Sequence, residues 1–264
     1  MHQNNSVEFH GASLPVIELG EGAPIAYLHG VLGNPAVPEF VSMLAAQGHR
    51  VIAPSLPGFD GAQQCEQLRT LHDWVGALSE IIDISGLTGK TIVASSISAM
   101  LALELAAIRP EAFNRLVLIA PFGLWDELEP VTDLFATTLT EERALLTAEP
   151  AHTASFYEDP AGTDPKSIIE RTVSRYLARS TTASLVWPLP EFGLSDRLRR
   201  VTRPCTLIWG TEDRLVPPSY QERFSRLLPA VQGSHLVQRA GHLAEWDQPR
   251  EIAEIVHAAI RQDS

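Results

Sequence analysis

Short apolar runs and stretches with helical spacing take turns along most of this chain. The apolar runs contain four to seven residues and end at Gly, Pro, Ser or His, which is typical of buried strands. Buried strands are predicted at Pro24–Leu28, His49–Ala53, Lys90–Ala94, Asn114–Ala120, Pro204–Trp209 and Ser234–Gln238. Two shorter candidates, Ser6–His10 and Leu14–Leu19, precede them, and Gly20-Glu21-Gly22 has the composition of a hairpin turn.

Between these runs, apolar residues three and four positions apart predict helices. Thr70 has the residue type of an N-cap, and Asp73 gives the following helix an acidic first turn. Strands that alternate with helices of about 10–15 residues predict a mostly parallel sheet covered on both faces. The predicted helices are Pro38–Gln47, Thr70–Ile84, Met100–Ile108, Ser219–Leu228 and Pro249–Ile260.

The alternation stops between Trp125 and about Thr202. This stretch is interrupted by six prolines before position 191, yet it keeps apolar residues at helical spacing, such as Ile169, Val173 and Tyr176. That pattern predicts a helical insertion and not a linker. We therefore divide the chain into a core formed by residues 1–124 and 191–264 and a helical cap formed by residues 125–190.

Composition narrows the choice of partners. A net charge of −12 over 264 residues argues against nucleic acid, because an acidic surface repels phosphate. The longest apolar run falls short of the roughly 18–20 residues of a membrane helix, and the first residues lack the pattern of a secretory signal. Cys65 and Cys205 are expected to be free thiols, and no metal-binding spacing occurs. We expect a cytoplasmic monomer or homodimer with a small-molecule substrate, no cofactor and no metal.

Candidate chemistry collects at the ends of the predicted strands. Parallel sheets place the carboxyl ends of their strands at one edge, where ligands bind. Ser96 follows the strand Lys90–Ala94, Asp213 follows Pro204–Trp209, and His242 follows Ser234–Gln238. A hydroxyl, a carboxylate and an imidazole are the groups that nucleophilic serine catalysis requires.

With these residues in the order Ser, Asp, His, the chain resembles the α/β-hydrolase family over nearly all of its length. The resemblance implies an α/β-hydrolase fold, with a mostly parallel, doubly wound sheet of eight strands and an inserted helical cap. In that family a G-x-S-x-G elbow joins a strand to a helix. The matching segment here is Ala94-Ser95-Ser96-Ile97-Ser98, so both glycines are replaced by other small residues.

The resemblance implies a role for each site residue. Ser96 has the central position of the elbow and would be the nucleophile, whereas Ser95 and Ser98 also fit helix caps. His242 would be the general base, and Asp213 would orient it, with Glu212 as the alternative carboxylate and a turn aspartate as the structural alternative for Asp213.

Two backbone N–H groups complete the implied machinery. The resemblance assigns the oxyanion hole to the N–H of Ile97, after the nucleophile, and to that of Val31, in the loop His29-Gly30-Val31. His29 is expected to shape that loop. Trp187, in the apolar stretch Trp187-Pro188-Leu189-Pro190, is a candidate substrate contact, with packing between cap and core as the alternative.

Several activities fit such a site. A serine nucleophile argues against the epoxide-opening and halide-displacing members of the family, which resemble this chain but use aspartate. The first hypothesis is hydrolysis of a carboxylic ester of a small or medium apolar substrate. The second is hydrolysis of a carbon–carbon bond in a diketone-type ring-fission product, since residues 198–204 and 209–217 also resemble such enzymes. A lyase and a non-catalytic small-molecule receptor on the same fold are the remaining alternatives.

Overall fold

The computed structural model describes residues 3–188 and 191–261. Its centre is one sheet of eight strands, as the resemblance implies. The strands are β1 (Gln3–Phe9), β2 (Ala12–Leu19), β3 (Ala23–Leu28), β4 (His49–Pro54), β5 (Lys90–Ser95), β6 (Phe113–Ile119), β7 (Cys205–Gly210) and β8 (Val231–Val237).

The strands lie in the order β1-β2-β4-β3-β5-β6-β7-β8. β1 and β2 form an antiparallel hairpin, β2 pairs antiparallel with β4, and the pairs from β4 to β8 are parallel. The prediction that Gly20-Glu21-Gly22 closes a hairpin was wrong. Those residues do turn the chain from β2 to β3, but β4 lies between these two strands, so the turn joins strands that do not pair.

Helices cover both faces of the sheet because the strand side chains are apolar on both sides. In β3, Ile25 and Tyr27 belong to one core cluster, whereas Ala26 and Leu28 belong to the other. The ten helices of the described residues are α1 (Glu39–Ala46), α2 (Leu71–Ile84), α3 (Ser96–Ile108), α4 (Leu139–Leu146), α5 (Ala154–Tyr157), α6 (Pro165–Val186), α7 (Leu194–Leu198), α8 (Ser219–Leu227), α9 (Ala244–Asp247) and α10 (Pro249–Arg261).

The two faces have different helices. α1 and α10 pack on the face that carries Tyr27, and α2 and α3 pack on the face that carries Leu28. The start of α2 is as predicted, because Thr70 accepts a hydrogen bond from the N–H of Asp73 while the Asp73 carboxylate accepts from the N–H of Thr70. Each prediction of a long core helix agrees with an observed helix, and one start differs by more than one residue: α3 begins at Ser96 and not at Met100.

The stretch between β6 and β7 contributes helices to the structure. From Trp125 to Pro188 the described residues contain α4, α5, α6 and short 3-10 turns, with no strand. Leu134, Phe156 and Leu185 in this stretch join the core cluster that α2 and α3 share, so the insertion packs on one face of the molecule. Leu189 and Pro190, at the end of the predicted cap, lie outside the described residues. Of the helices described here, none has the length and apolar character that crossing a bilayer requires.

Both cysteines are free, as predicted. Cys205 is buried in β7, and this burial raises the pKa of its thiol to about 12. Burial also raises the pKa of Cys65, which lies on the loop between β4 and α2. Because thiolate is the reactive form of cysteine, these thiols are poor candidates for a nucleophile.

Candidate active site

Ser96 lies on a sharp turn between β5 and α3. Its φ is +58°, in the left-handed region that residues other than glycine rarely adopt. β5 ends at Ser95 and α3 begins at Ser96, so the turn consists of a single peptide step. Such strain persists only where the surrounding structure enforces it, and it is common at functional sites. Here it turns the side chain of Ser96 away from the path of the strand.

Three buried side chains form a continuous chain of hydrogen bonds. The Oγ of Ser96 lies 2.7 Å from Nε2 of His242, and Nδ1 of His242 lies 2.9 Å from Oδ2 of Asp213. The other carboxylate oxygen, Oδ1, accepts the backbone N–H groups of Leu215 and Val216, both at 2.9 Å. A carboxylate accepts and does not donate, so Nδ1 carries the imidazole proton and Nε2 presents a lone pair to the serine.

Burial strengthens this arrangement. The side chains of His242 and Asp213 have no exposed surface, and Ser96 is fully buried as well. Electrostatic interactions are stronger where water is excluded. The structure therefore brings together the three residues that the sequence predicted as nucleophile, base and orienting acid, in the geometry that activates a serine hydroxyl.

The alternative residues lie elsewhere. Glu212, the second candidate carboxylate, is 41% exposed and lies 3.7 Å from the guanidinium of Arg214. Its backbone N–H donates to the carbonyl of Ala240, and its side chain makes no contact with His242 among the contacts described. Asp213, and not Glu212, is the carboxylate that bonds to the imidazole.

The two replaced glycines of the elbow have different structural explanations. Ala94 is fully buried in β5, where a methyl group packs in the core. Ser98 is also fully buried, and its Oγ donates to the backbone carbonyl of His29 at 2.6 Å. The serine thus fastens the elbow to the loop that follows β3, which a glycine would not do.

The loop after β3 lies directly against Ser96, the predicted nucleophile. A Cβ built on Gly30 would lie 3.3 Å from Cβ of Ser96, so only glycine leaves the two segments this close without displacement. Nε2 of His29 accepts the N–H of Leu56 at 3.1 Å, which leaves Nδ1 as the donor to the carbonyl of Gly30 at 2.9 Å. His29 therefore fixes the plane of the peptide bond that carries the N–H of Val31.

The two predicted oxyanion donors are close to Ser96 in the chain or in space. Ile97 is the second residue of α3, where backbone N–H groups have no carbonyl partner within the helix. Val31 follows Gly30 and is fully buried. Their role in binding an oxyanion stays a prediction that these positions support.

Two further buried groups border His242. The ring of Phe122 meets the imidazole edge to face, with 5.5 Å between ring centroids, and the Phe122 N–H donates to the carbonyl of Ser96 at 3.3 Å. Glu245, three residues after His242, is almost completely buried, and this burial raises the pKa of its carboxyl group. Its Oε1 accepts the hydroxyl of Tyr27 at 3.4 Å.

Trp187 lies away from these groups. It is 54% exposed, and its ring packs edge to face on Phe135 with 6.2 Å between centroids. The cavity that it lines, of about 650 Å³, is formed by α2, α3 and the end of α6, and no triad residue lines it. Its contact with substrate therefore stays a prediction, and the ring contact with Phe135 is packing within the insertion.

A family comparison agrees with the geometry. The sequence profile described as the alpha/beta hydrolase family matches residues 25–255. The chain belongs to the α/β-hydrolase family. The match includes the elbow, the loop after β3 and the segments that carry Asp213 and His242.

Several relatives of this α/β-hydrolase cover most of its length. A 2-hydroxy-6-oxo-6-phenylhexa-2,4-dienoate hydrolase from Burkholderia cepacia is 26% identical over 249 residues, which span 87% of this chain and 85% of the relative. A 2-hydroxymuconate semialdehyde hydrolase from Pseudomonas putida is 26% identical over 257 residues, spanning 90% and 86%. The solved structure of a meta-cleavage product hydrolase from Pseudomonas fluorescens has a TM-score of 0.76 at 19% identity and covers 98% of both chains.

One contact between the insertion and the core could not be predicted from the sequence. Thr182, on α6 of the insertion, places its Oγ1 2.5 Å from the carbonyl oxygen of Val31 and 2.9 Å from that of Ala178. The insertion thus touches the loop that carries the predicted oxyanion donor. Nothing in a threonine near the middle of a helical stretch signals such a contact, because the two residues are 151 positions apart.

Proposed function

We propose that this α/β-hydrolase uses Ser96 to hydrolyse a carbon–carbon bond in a dienoate formed by ring fission. The observation that carries the proposal is the buried chain of hydrogen bonds Ser96–His242–Asp213 in a protein whose relatives, over most of their length, are dienoate and semialdehyde hydrolases. These relatives are 26% identical to this chain, so their substrate class is proposed for it by similarity.

The proposed reaction follows from the positions of the three side chains. Oγ of Ser96 attacks a ketone carbon while Nε2 of His242 takes the hydroxyl proton. Cleavage proceeds from the keto tautomer of the dienoate, in which the 2-hydroxyl proton has moved to the carbon next to the ketone. The carbon–carbon bond then breaks, and its electron pair passes through the remaining C=C bond into the 2-keto group, giving a dienolate that takes up the proton from His242. Water, activated by His242, hydrolyses the acyl-enzyme. The products are a carboxylic acid and a shortened dienoate, and Ser96 is regenerated.

The departing carbon explains why a dienoate would be needed. A carbon leaving group is poor unless its electron pair is delocalised, and the conjugated 2-keto group of the tautomer provides that delocalisation. Asp213 stabilises the imidazolium that exists between the two proton transfers. Backbone N–H groups of Val31 and Ile97 would bind the tetrahedral oxyanion, where one donor is worth on the order of 10²–10³-fold in rate.

A cavity beside the predicted oxyanion loop has room for the rest of such a substrate. Its volume is about 560 Å³, within the range of small-molecule sites. Leu32 and Asp60 of the core line it on one side, and Phe156, Tyr157 and Arg175 of the insertion line it on the other. Neither Ser96 nor His242 lines this cavity, so it would take only the part of a substrate that extends past Leu32.

Ester hydrolysis, the first hypothesis from the sequence, is the second candidate. It is favoured by the position of Nε2 of His242, which lies within hydrogen-bond distance of the serine oxygen, as acyl transfer from any ester requires. The alcohol leaves as an oxygen anion, so no conjugated system is needed.

The two candidates are separated by parallel assays of one enzyme preparation. Excess enzyme is mixed with 2-hydroxy-6-oxo-6-phenylhexa-2,4-dienoate, and loss of the dienoate absorbance is followed. p-Nitrophenyl esters of increasing acyl length are tested beside it. Each assay compares wild type, Ser96→Ala and Ser95→Ala, the last removing the neighbouring hydroxyl.

We expect bleaching of the dienoate that needs Ser96 and continues in Ser95→Ala. Hydrolysis of esters without bleaching would make the protein an esterase and would refute the carbon–carbon proposal. Absence of both reactions in folded wild type would refute both candidates, and tight binding of the dienoate without turnover would then identify a receptor.

A further inference from the structure

Asp247 is a buried carboxylate that joins the loop of the catalytic histidine to the insertion. It lies at the end of α9, five residues after His242, and its side chain has no exposed surface. Oδ2 accepts the backbone N–H of Gly241 at 2.7 Å and that of Ala148 at 2.8 Å. Oδ1 accepts the Nδ1–H of His152 at 2.7 Å and the backbone N–H of Glu149 at 3.5 Å. One carboxylate thus holds the residue before His242 and three residues of the insertion.

The same two segments are also in direct backbone contact. The N–H of Leu243 donates to the carbonyl of Leu146 at 2.7 Å. A Cβ built on Gly241 would lie 2.8 Å from Cα of Thr147, so the backbones of the two segments touch at this glycine. The residues on either side of His242 are therefore both attached to the segment 146–148.

The loop that carries His242 has no regular structure of its own, since β8 ends at Val237 and α9 begins at Ala244. Asp213 fixes the direction of the ring through Nδ1 but leaves the backbone of the loop unconstrained. That backbone is held to the core at Ala240, whose carbonyl accepts the N–H of Glu212 at 2.8 Å. On either side of His242, at Gly241 and Leu243, its contacts lead to the insertion.

We propose that Asp247 and His152 position the catalytic histidine, so that docking of the insertion and alignment of His242 with Ser96 are one event. This inference rests on the proposed function, in which His242 removes the proton from Ser96. Asp247 acts through the backbone of Gly241. His152, whose side chain is 41% exposed, is the part of the link that can be altered from the surface.

A purely structural role for the same contacts predicts a different result. If the role is purely structural, removing the contacts lowers thermal stability but leaves the reactivity of each folded molecule unchanged. A positioning role lowers the rate of the step that needs His242 while binding of the reagent is retained, because a misplacement of about 1 Å can cost on the order of 10²-fold in rate.

The test uses a fluorophosphonate, which reports on Ser96 without any assumption about the natural substrate. Oγ of Ser96 attacks phosphorus, fluoride leaves and His242 takes the proton. Mass spectrometry counts labelled molecules, and the dependence of rate on reagent concentration separates binding from the maximal rate of labelling. The variants are His152→Ala, His152→Asn, which keeps a donor at the position of Nδ1, and Asp247→Asn.

The matched control is His257→Gln on α10. His257 makes one ring-to-ring hydrogen bond, 2.9 Å from Nε2 of His49, on the face of the sheet that α1 and α10 cover. Its hydrogen bond is similar in length to the 2.7 Å bond between His152 and Asp247, but among the described contacts it has none with the loop of His242. We expect its labelling rate to equal that of wild type.

For His152→Ala we expect the maximal labelling rate to fall about 10-fold, the scale of one hydrogen bond to a charged group, with unchanged reagent binding. His152→Asn restores most of that loss, and Asp247→Asn, if it folds, shows a fall on the order of 10²-fold. Labelling of folded His152→Ala at the wild-type rate would overturn the inference, whether or not Asp247→Asn folds. Failure of wild type itself to label at Ser96 would instead refute the proposed function.

Discussion

The hydroxyl of Ser98 donates to the backbone carbonyl of His29 at 2.6 Å, inside the core of the molecule. This bond fastens the first turn of α3 to the loop that carries the predicted oxyanion donor Val31. Ser98 stands where the family pattern has glycine. Its side chain therefore adds a hydrogen bond to the loop after β3 that glycine could not make.

Ser98→Ala should therefore destabilise the protein and weaken catalysis. The carbonyl of His29 would lose its donor in a buried place, which costs about 1–3 kcal/mol in the free energy of unfolding. Urea denaturation measures the cost. Ser85→Ala is the control, because the buried hydroxyl of Ser85 has no hydrogen-bond partner among the described residues. Equal losses in the two variants would show that the bond from Ser98 contributes nothing.

Asp213→Asn tests the orientation of the imidazole. An amide at this position can donate to Nδ1, which favours the tautomer with the proton on Nε2 and removes the lone pair that faces Ser96. We expect kcat to fall on the order of 10⁴-fold with little change in KM, and steady-state assays of whichever substrate is turned over will measure this. Glu212→Gln, on the exposed neighbour, should keep the wild-type rate. A large loss in Glu212→Gln with a small one in Asp213→Asn would reverse the assignment.

The triad could be predicted from the sequence because each member stands just after a strand of a parallel sheet. The apolar runs define the strand ends, and topology then brings residues such as Ser96 and Asp213 to one edge. The helix boundaries could be predicted almost as well, because an N-cap such as Thr70 bonds to residues only three positions away. The start of α3 was missed because the serines of the elbow look like a loop, although the strained turn occupies only one peptide step.

Contacts between the insertion and the core could not be predicted in this way. His152 and Asp247 are 95 positions apart, and neither has a neighbour pattern that sets it apart from surface residues. Pairing of strands is similarly non-local, so the turn at Gly20-Glu21-Gly22 and the strands on either side of it were predicted correctly, but their pairing with each other was not. Turn residues such as glycine show where the chain reverses, whereas the pairing of strands depends on packing between residues far apart in the sequence.

Thr182→Val tests whether the insertion influences the predicted oxyanion loop. Valine keeps the shape of threonine but removes the hydroxyl that contacts the carbonyl of Val31. We expect kcat to fall about 10-fold with a smaller change in KM, the scale of one lost hydrogen bond in a buried place. Ser184→Ala is the control, because among the described residues the hydroxyl of Ser184 donates only to the carbonyl of Thr181 on the same helix. Equal losses of kcat in both variants would mean that any disturbance of α6 lowers kcat and that the contact with Val31 has no specific role.

Glu245→Gln tests the buried carboxyl group beside His242. Burial raises the pKa of Glu245, so the folded state favours the protonated form. Its contribution to stability is therefore fully present below the pKa of an unfolded glutamate, about 4.3, and is lost as pH rises towards the folded pKa. Glutamine resembles the protonated acid and does not titrate, so the variant should gain stability over wild type as pH increases.

The measurement is urea denaturation of both proteins between pH 5 and 8, where the stability difference is expected to grow until the pH passes the folded pKa and to stay constant above it. Glu254→Gln, the same substitution at an exposed position of α10, should give a difference from wild type that does not change with pH. A difference for Glu245→Gln that shrinks with rising pH would mean that the folded protein stabilises the carboxylate. In that case a charge beside His242, and not a neutral acid, would belong to the resting state of the site.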